Sequence, residues 1–157
     1  MTKVTIGLYT VFLGEELIHI LYSFRQVKMK SPESGGILLG QMKNSDMYLL
    51  RVSIPNPKDS FHRTGFTRNR EVAQIIINHE FFNSGKKTIY LGEWHTHPED
   101  NPSPSFQDTK MIKDQFKKNN LNEEFVILTI VGNANLFVGV LDNKGFHDLT
   151  IPWSHLR

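Results

Sequence analysis

Two patterns of apolar residues alternate along the 157-residue chain: apolar residues three or four positions apart, and short continuous apolar runs. Apolar residues at three- and four-residue steps predict helices over 15–27 and 70–82, and a third helix is expected over 105–119. Short apolar runs bounded by Gly, Pro, Asn and Asp predict strands over 4–13, 36–41, 47–54, 61–67, 88–97, 125–131 and 136–141. Interleaved strands and helices without a long linker or repeat predict one α/β layered domain over residues 1–157.

The composition limits the chemistry that this domain can carry. The chain has no cysteine, which removes thiol nucleophiles and Cys-type zinc sites, so a bound metal must take nitrogen or oxygen ligands. With 18 Lys+Arg against 16 Asp+Glu, the net charge of +2 disfavours a nucleic-acid binder, whose footprint would be the basic loop 62–70.

The apolar run 4–13 is followed at once by two glutamates and has no signal-peptide cleavage site, so we expect it to be a buried first strand. No apolar run approaches the ~20 residues that span a bilayer. We therefore expect a soluble, cytoplasmic protein.

The stretch GEWHTHPEDNPSPSFQD, residues 92–108, contains the candidate metal ligands. If 88–97 is a strand, His95 and His97 point to the same face, because side chains alternate along a strand. Asp108 in the first turn of the next helix can supply a third ligand, and three protein ligands with an open position are typical of catalytic zinc. A short H-x-H pair also occurs by chance. Ser105 and Asp108 further have the form of a helix N-cap, a role compatible with ligation.

A hydrolytic zinc site also needs a base. Glu93, Glu99 and Asp100 are near in sequence, but none shows an independent sign of that role. Glu33 precedes Gly35 and an apolar strand in the stretch SPESGGILLGQ. On spacing alone, Glu33 is interpreted as a solvated residue at the entrance of a strand.

Taken together, E-S-G-G-I-L-L-G, W-H-T-H-P and S-F-Q-D in this order resemble the JAMM (JAB1/MPN+) metalloprotease motif. That motif has a glutamate before a glycine-containing apolar strand, then H-x-H-P, with seven residues between the second histidine and the serine of S-x-x-D. The chain matches each part from Glu33 to Asp108. The run LGEWHTHPEDNPSPS further resembles the prokaryotic JAB branch, in particular the deconjugating peptidases encoded with E1/E2-like enzymes in bacterial CBASS anti-phage operons.

The resemblance implies a mixed sheet with flanking helices, layered as in cytidine deaminases. It implies one Zn²⁺ held by His95, His97 and Asp108, with Glu33 activating water and Ser105 donating a hydrogen bond to the oxyanion. The implied activity is removal of a ubiquitin-like or other C-terminally conjugated protein modifier from its target. The rival hypothesis is a non-catalytic MPN-type scaffold that binds proteins, and the complete set of five residues argues against it.

The expected substrate is the C-terminal tail of a protein modifier. If the strand 88–94 has an open edge, the tail can add to it as a further strand. The loop 55–70, with His62, Arg63 and Arg68, would then contact the body of the modifier, although a solvated loop explains these residues equally well.

Overall fold

The computed structural model describes residues 1–28, 30–62, 65–118 and 123–157. These residues form ten strands and four helices, which are, in chain order, β1 (Thr2–Ile6), β2 (Tyr9–Leu13), α1 (Glu15–Ser23), β3 (Gly35–Lys43), β4 (Asp46–Val52), β5 (Ser60–His62), β6 (Gly65–Thr67), α2 (Arg70–Asn83), β7 (Ile89–Thr96), α3 (Phe106–Lys118), β8 (Val126–Val131), β9 (Asn135–Asp142), β10 (Gly145–Pro152) and α4 (Trp153–Leu156).

Eight of the strands form one mixed sheet in the order β1-β2-β4-β3-β7-β8-β9-β10, and β5 and β6 form a separate hairpin. The β2–β4 and β7–β8 pairs are parallel, and the other pairs are antiparallel. Strand β7 lies inside the sheet between β3 and β8. The α/β class and the mixed sheet with flanking helices, both predicted from the sequence, are confirmed.

Helices cover both faces of the sheet. On one face, α1 and α4 pack their buried side chains against the strands, with Leu21 and Trp153 as examples. On the other face, Ala73 of α2 packs on β3, and Ile112 of α3 packs on β8 and β9. Helix α3 connects the parallel strands β7 and β8, so its first turn lies near the carboxyl end of β7, where α/β proteins place ligands.

The first helix is shorter than predicted, because α1 ends at Ser23 and not at Val27. Phe24 leaves the helix and packs against Trp94, with ring centroids 5.4 Å apart. Arg25 stacks over Tyr22, its guanidinium carbon 3.5 Å from the ring centroid. Val27 is 61% exposed and does not belong to the apolar face that its spacing indicated.

The run 4–13, predicted as one strand, is the hairpin β1–β2. Gly7 has φ of +58°, which favours glycine, and Leu8 at the turn is 92% exposed.

The strand β10 and the short helix α4 were not predicted. The run 61–67, predicted as one strand, contains β5 and the separate strand β6, and residues 63 and 64 lie outside the described part, as does the predicted helix end at residue 119.

None of the helices in the described ranges has the length and apolar character needed to cross a membrane.

Candidate active site

The two histidines of the H-x-H motif lie at the carboxyl end of β7. His95 is its penultimate residue, and His97 follows the strand and is held there by its backbone N–H, which donates to the Val131 carbonyl at 3.0 Å. The two imidazole rings lie on the same side, as the period of two predicts, with centroids 5.0 Å apart. His95 is buried and His97 is partly buried.

The carboxylate of Asp108 faces both rings. Its Oδ1 lies 3.0 Å from Nε2 of His95, and its Oδ2 lies 3.1 Å from Nε2 of His97. One ligand atom from each of the three residues falls within 4.8 Å of the others. The structure therefore brings together the three residues that the sequence predicts as metal ligands.

The first turn of α3 fixes the position of Asp108. The backbone N–H of Ser105 donates to Asp108 Oδ2 at 2.8 Å, and the backbone N–H of Asp108 donates to Ser105 Oγ at 3.1 Å. This reciprocal cap, predicted from the spacing, satisfies two N–H groups that the helix leaves free. Among the described residues, no acceptor takes the O–H of Ser105, so this proton remains available to donate.

The surroundings keep the Asp108 carboxyl in the charged form that a cation needs, whereas contacts with Asp108 and Glu99 outweigh the burial of His97 and raise its pKa. Burial raises the pKa of Asp108, but the nearby imidazoles of His95 and His97 outweigh it and hold that pKa well below its usual range. Asp108 is therefore a carboxylate at neutral pH. Nδ1 of His97 lies 3.0 Å from Glu99 Oε1, and a proton shared there leaves Nε2 free to bind metal. The sequence named Glu99 only as a nearby acid, because its contact depends on the bend of the loop.

The buried Nε2 atom of His95 tests whether a metal fits. Although Asp108 Oδ1 is 3.0 Å away, Nε2 makes no hydrogen bond of acceptable geometry with any described residue. A buried polar atom without such a partner is uncommon in folded proteins, and a role as a metal ligand is one explanation. Two neutral imidazole nitrogens and one carboxylate oxygen are also ligands that zinc accepts. The residues present fit a divalent metal.

Glu33 precedes β3, which is paired with β7. Gly35 lies opposite His95 in the register, and Ser34 is tied to Thr96 by two hydrogen bonds. Burial raises the pKa of Glu33, the charges of His97 and His95 lower it, and the charge of Asp108 raises it. The charges of all three candidate ligands thus act on the Glu33 carboxyl, which is partly buried.

Gly35 allows the hairpin β5–β6 to approach this segment. A Cβ atom at position 35 would lie 2.6 Å from a ring carbon of Phe66 and 2.7 Å from the Trp94 carbonyl oxygen. Both distances are too short for real contacts, so a larger residue would displace Phe66. The glycine before the apolar strand is therefore required by packing next to Glu33.

Glu93, the other acid on β7, is buried in an ion pair with Arg68. Nε of Arg68 lies 2.9 Å from both carboxylate oxygens, Nη2 lies 2.6 Å from Oε1, and the Tyr90 hydroxyl donates to Oε1 at 3.1 Å. Arg68 therefore points inward, contrary to its expected contact with the body of a modifier. The side chain of His62 and all of Arg63 lie outside the described part of the structure.

A cleft of about 760 Å³ extends from His95 between α2 and α3. Phe66 and Arg68 line one wall, Tyr90 and Glu93 lie at the bottom, and Gln107 and Met111 of α3 line the other wall. The candidate site thus adjoins this cleft through His95.

The fold and the site define the class of protein. Residues 24–142 match the Prok-JAB family, described as prokaryotic homologs of the JAB domain, and the chain belongs to this family.

Particular relatives are similar over most of their length. The chain is 36% identical to the CD-NTase/cGAS isopeptidase of Escherichia coli strain TW11681, over 82% of this chain and 80% of the relative. It is 33% identical to the CD-NTase/cGAS isopeptidase of Vibrio cholerae serotype O1, with the same two shares covered. Among solved structures, protein DSY2949 from Desulfitobacterium hafniense shares the fold, with a TM-score of 0.61 at 17% identity over 88% of this chain and 89% of that one.

Proposed function

We propose that this chain is a zinc-dependent isopeptidase that cleaves the bond between the C-terminus of a protein modifier and an amine of its target. The observation that carries the proposal is the convergence of ligand atoms from His95, His97 and Asp108 within 4.8 Å of one another. The two relatives named CD-NTase/cGAS isopeptidase support the reaction and the protein substrate. The proposal includes one domain over 1–157, a cytoplasmic location and E1/E2-like operon partners of a CBASS-type system.

His95, His97 and Asp108 would hold the ion, and three protein ligands leave a further coordination position open. A zinc ion bound there would act as a Lewis acid that polarises the scissile carbonyl and makes water a better nucleophile at neutral pH. The ligand set contains no thiolate, which agrees with a hydrolytic and not a structural role.

Glu33 is proposed to accept the proton of the attacking water and then to donate it to the leaving amine. Its pKa, raised by burial, brings the carboxyl closer to the range in which a group exchanges protons efficiently near neutral pH. The neighbouring residues Ser34 and Gly35 are paired with β7, which supports a position of the carboxyl near the ligands. Ser105 is proposed to donate its O–H to the oxyanion, because the cap fixes its oxygen at the first turn of α3.

The cleft between α2 and α3 is proposed to receive the modifier tail. The sequence-based expectation placed the tail on the strand 88–94 only if that strand has an open edge, and this condition is not met, because β7 is paired with β3 on one side and β8 on the other. An extended tail can instead lie in the cleft, with its carboxyl end at His95. The walls formed by α2 and α3 on either side suit an extended chain and not a folded domain.

The test uses purified enzyme and fusions in which a modifier encoded beside this gene is followed at its C-terminus by a reporter, with a ubiquitin fusion for comparison. Mass spectrometry should show cleavage after the last residue of the modifier, abolished by chelation and restored by zinc. Hydrolysis of unrelated small amides without cleavage of any fusion would exclude deconjugation and leave only a zinc hydrolase.

The metal is tested separately by elemental analysis. Near-stoichiometric zinc should be found in the wild type and in His19→Ala, an exposed histidine outside the site, and sharply less in His95→Ala, His97→Ala and Asp108→Ala. Because the core does not depend on the ion, the chelated protein should keep a cooperative thermal transition. Unchanged zinc in all three ligand variants would contradict the assignment.

A further inference from the structure

The outer face of α3 begins at the candidate site and carries an unusual combination of side chains. Phe106 directly follows Ser105 and is 85% exposed. Lys110, Lys113 and Lys117 follow at steps of four, three and four residues and are exposed, so helical geometry places them on the same side as Phe106. We call Phe106, Lys110, Lys113 and Lys117 the α3 ridge.

A second groove, of about 390 Å³, runs along this ridge. Pro104 and Ser105 line one end of it, and Lys117 lies at the other. The groove therefore leads from the proposed oxyanion donor along the face of α3 that carries the three lysines, and it shares Lys110 and Asp114 with the cleft that leads from His95.

The charges of the ridge are not neutralised within the chain. In the described part of α3, the ion pair is formed by Lys118 with Asp114, at 3.9 Å. Lys110, Lys113 and Lys117 form no ion pair with any described residue, and no described element covers them. A partner complementary to this surface must present acidic side chains.

Helix α3 separates two surfaces that both start at the candidate site. The inner cleft has walls on both sides and fits an extended chain, whereas the ridge is open and fits the surface of a folded protein. The proposed substrate has the same two parts, since the acyl side of an isopeptide bond is a tail and its amine side is a lysine on a folded target. If the modifier tail binds in the cleft, the α3 ridge is the surface that remains for the target protein.

We propose that the α3 ridge binds the target protein on the amine side of the scissile bond and favours targets with acidic side chains around the modified lysine. Phe106 supplies an apolar contact next to the reacting bond, and the lysines supply the charge complementarity. This inference rests on the proposed isopeptidase function and adds a preference for the protein that carries the leaving amine.

The test compares two fusions with the same modifier tail and different segments on the amine side, one rich in glutamate and one with glutamine at those positions. We expect wild-type enzyme to have the higher kcat/KM on the acidic fusion, by about five- to tenfold at low salt, with the difference in KM. About 0.5 M salt should remove most of the preference. The double variant Lys113→Glu/Lys117→Glu changes only residues that line the outer groove, and it should invert the preference.

The matched control is Lys43→Glu/Lys87→Glu, which reverses two exposed lysines at the opposite end of the sheet from His95 and should keep the wild-type preference. Equal preference in wild type and Lys113→Glu/Lys117→Glu would overturn the proposal. Binding of a labelled glutamate-rich peptide and its glutamine counterpart gives a second measurement, independent of cleavage. If wild-type enzyme cleaves no fusion, the isopeptidase function fails, and equal binding of the two peptides by wild type would overturn the ridge as an acidic-partner site.

Discussion

Thr96, the residue between the two histidines of the H-x-H motif, is joined to Ser34, the neighbour of Glu33, by a reciprocal pair of hydrogen bonds. Thr96 Oγ1 accepts from the Ser34 backbone N–H at 3.0 Å, and the Thr96 N–H donates to the Ser34 carbonyl at 2.9 Å. Both residues are buried. The strand that presents the candidate ligands thus also fixes the segment that presents the candidate base.

Replacing Thr96 with Val should loosen this connection. The change leaves the buried Ser34 N–H without its acceptor, which costs about 1–3 kcal/mol of unfolding free energy. Displacement of Glu33 should lower kcat by up to about 10²-fold while zinc content stays the same. Thr96→Ser keeps the hydroxyl and should retain both stability and rate. Equal rates in the Val and Ser variants would show that the hydrogen bond does not position Glu33.

Arg68→Gln should destabilise the protein strongly, because it leaves the Glu93 carboxylate buried without its cation. Loss of one partner of a buried ion pair typically costs about 3–5 kcal/mol. The double variant Arg68→Gln/Glu93→Gln removes both charges and should recover much of that loss. Denaturant unfolding of the wild type, the two single variants and the double variant measures the coupling. Additive effects would mean that the two side chains stabilise the fold independently.

Ser105 is expected to have two separable roles, helix cap and oxyanion donor. Ser105→Ala and Ser105→Gly both remove the hydroxyl, so each should lower kcat by about 10²-fold or more with zinc retained. Glycine is a much better N-cap than alanine, so only Ser105→Ala should lose about 1 kcal/mol of stability. If the rates follow the melting temperatures instead, the effect of Ser105 on turnover comes from the cap.

The Tyr9 hydroxyl donates to Asp142, which connects β2 to the end of β9, and burial together with this bond raises the pKa of Tyr9 from 10.0 to about 12. The phenol therefore keeps its proton to higher pH in the folded protein than in the unfolded chain. The protonated Tyr9 hydroxyl stabilises the folded protein fully at a pH below the pKa that Tyr9 has in the unfolded chain. This stabilisation is lost as the pH rises through the pKa of Tyr9 in the folded protein. Denaturant unfolding near pH 9 and pH 11 should show a steeper loss in wild type than in Tyr9→Phe. Equal slopes would contradict the raised pKa.

Features of the site that depend on short spacings could be predicted from the sequence. The period of two placed His95 and His97 on one side of β7, and the three-residue spacing of Ser105 and Asp108 gave the cap. Each of these depends on the geometry of a single strand or a single helical turn.

Contacts between distant segments could not be predicted, because they depend on strand order and register. Arg68 meets Glu93 only because the end of β6 lies over β7, and Ser34 meets Thr96 only because β3 pairs with β7. The strand order also determines that β7 has no open edge. The hairpin at Gly7 was missed because the apolar residues of β1 and β2 merge into one run, although the glycine is the local signal of a turn.

Glu33 is the proposed base of a metal-dependent peptidase, and the proposed mechanism requires its carboxylate. The most direct measurement is the rate at which Glu33→Gln, with its zinc content determined on the same sample, cleaves the modifier fusion. We expect stoichiometric zinc, an unchanged melting temperature and a kcat lower by about 10²- to 10⁴-fold, because the amide cannot accept the proton of the attacking water. Full activity of zinc-loaded Glu33→Gln would contradict the account. Glu93 could not take over that role without breaking its buried ion pair with Arg68.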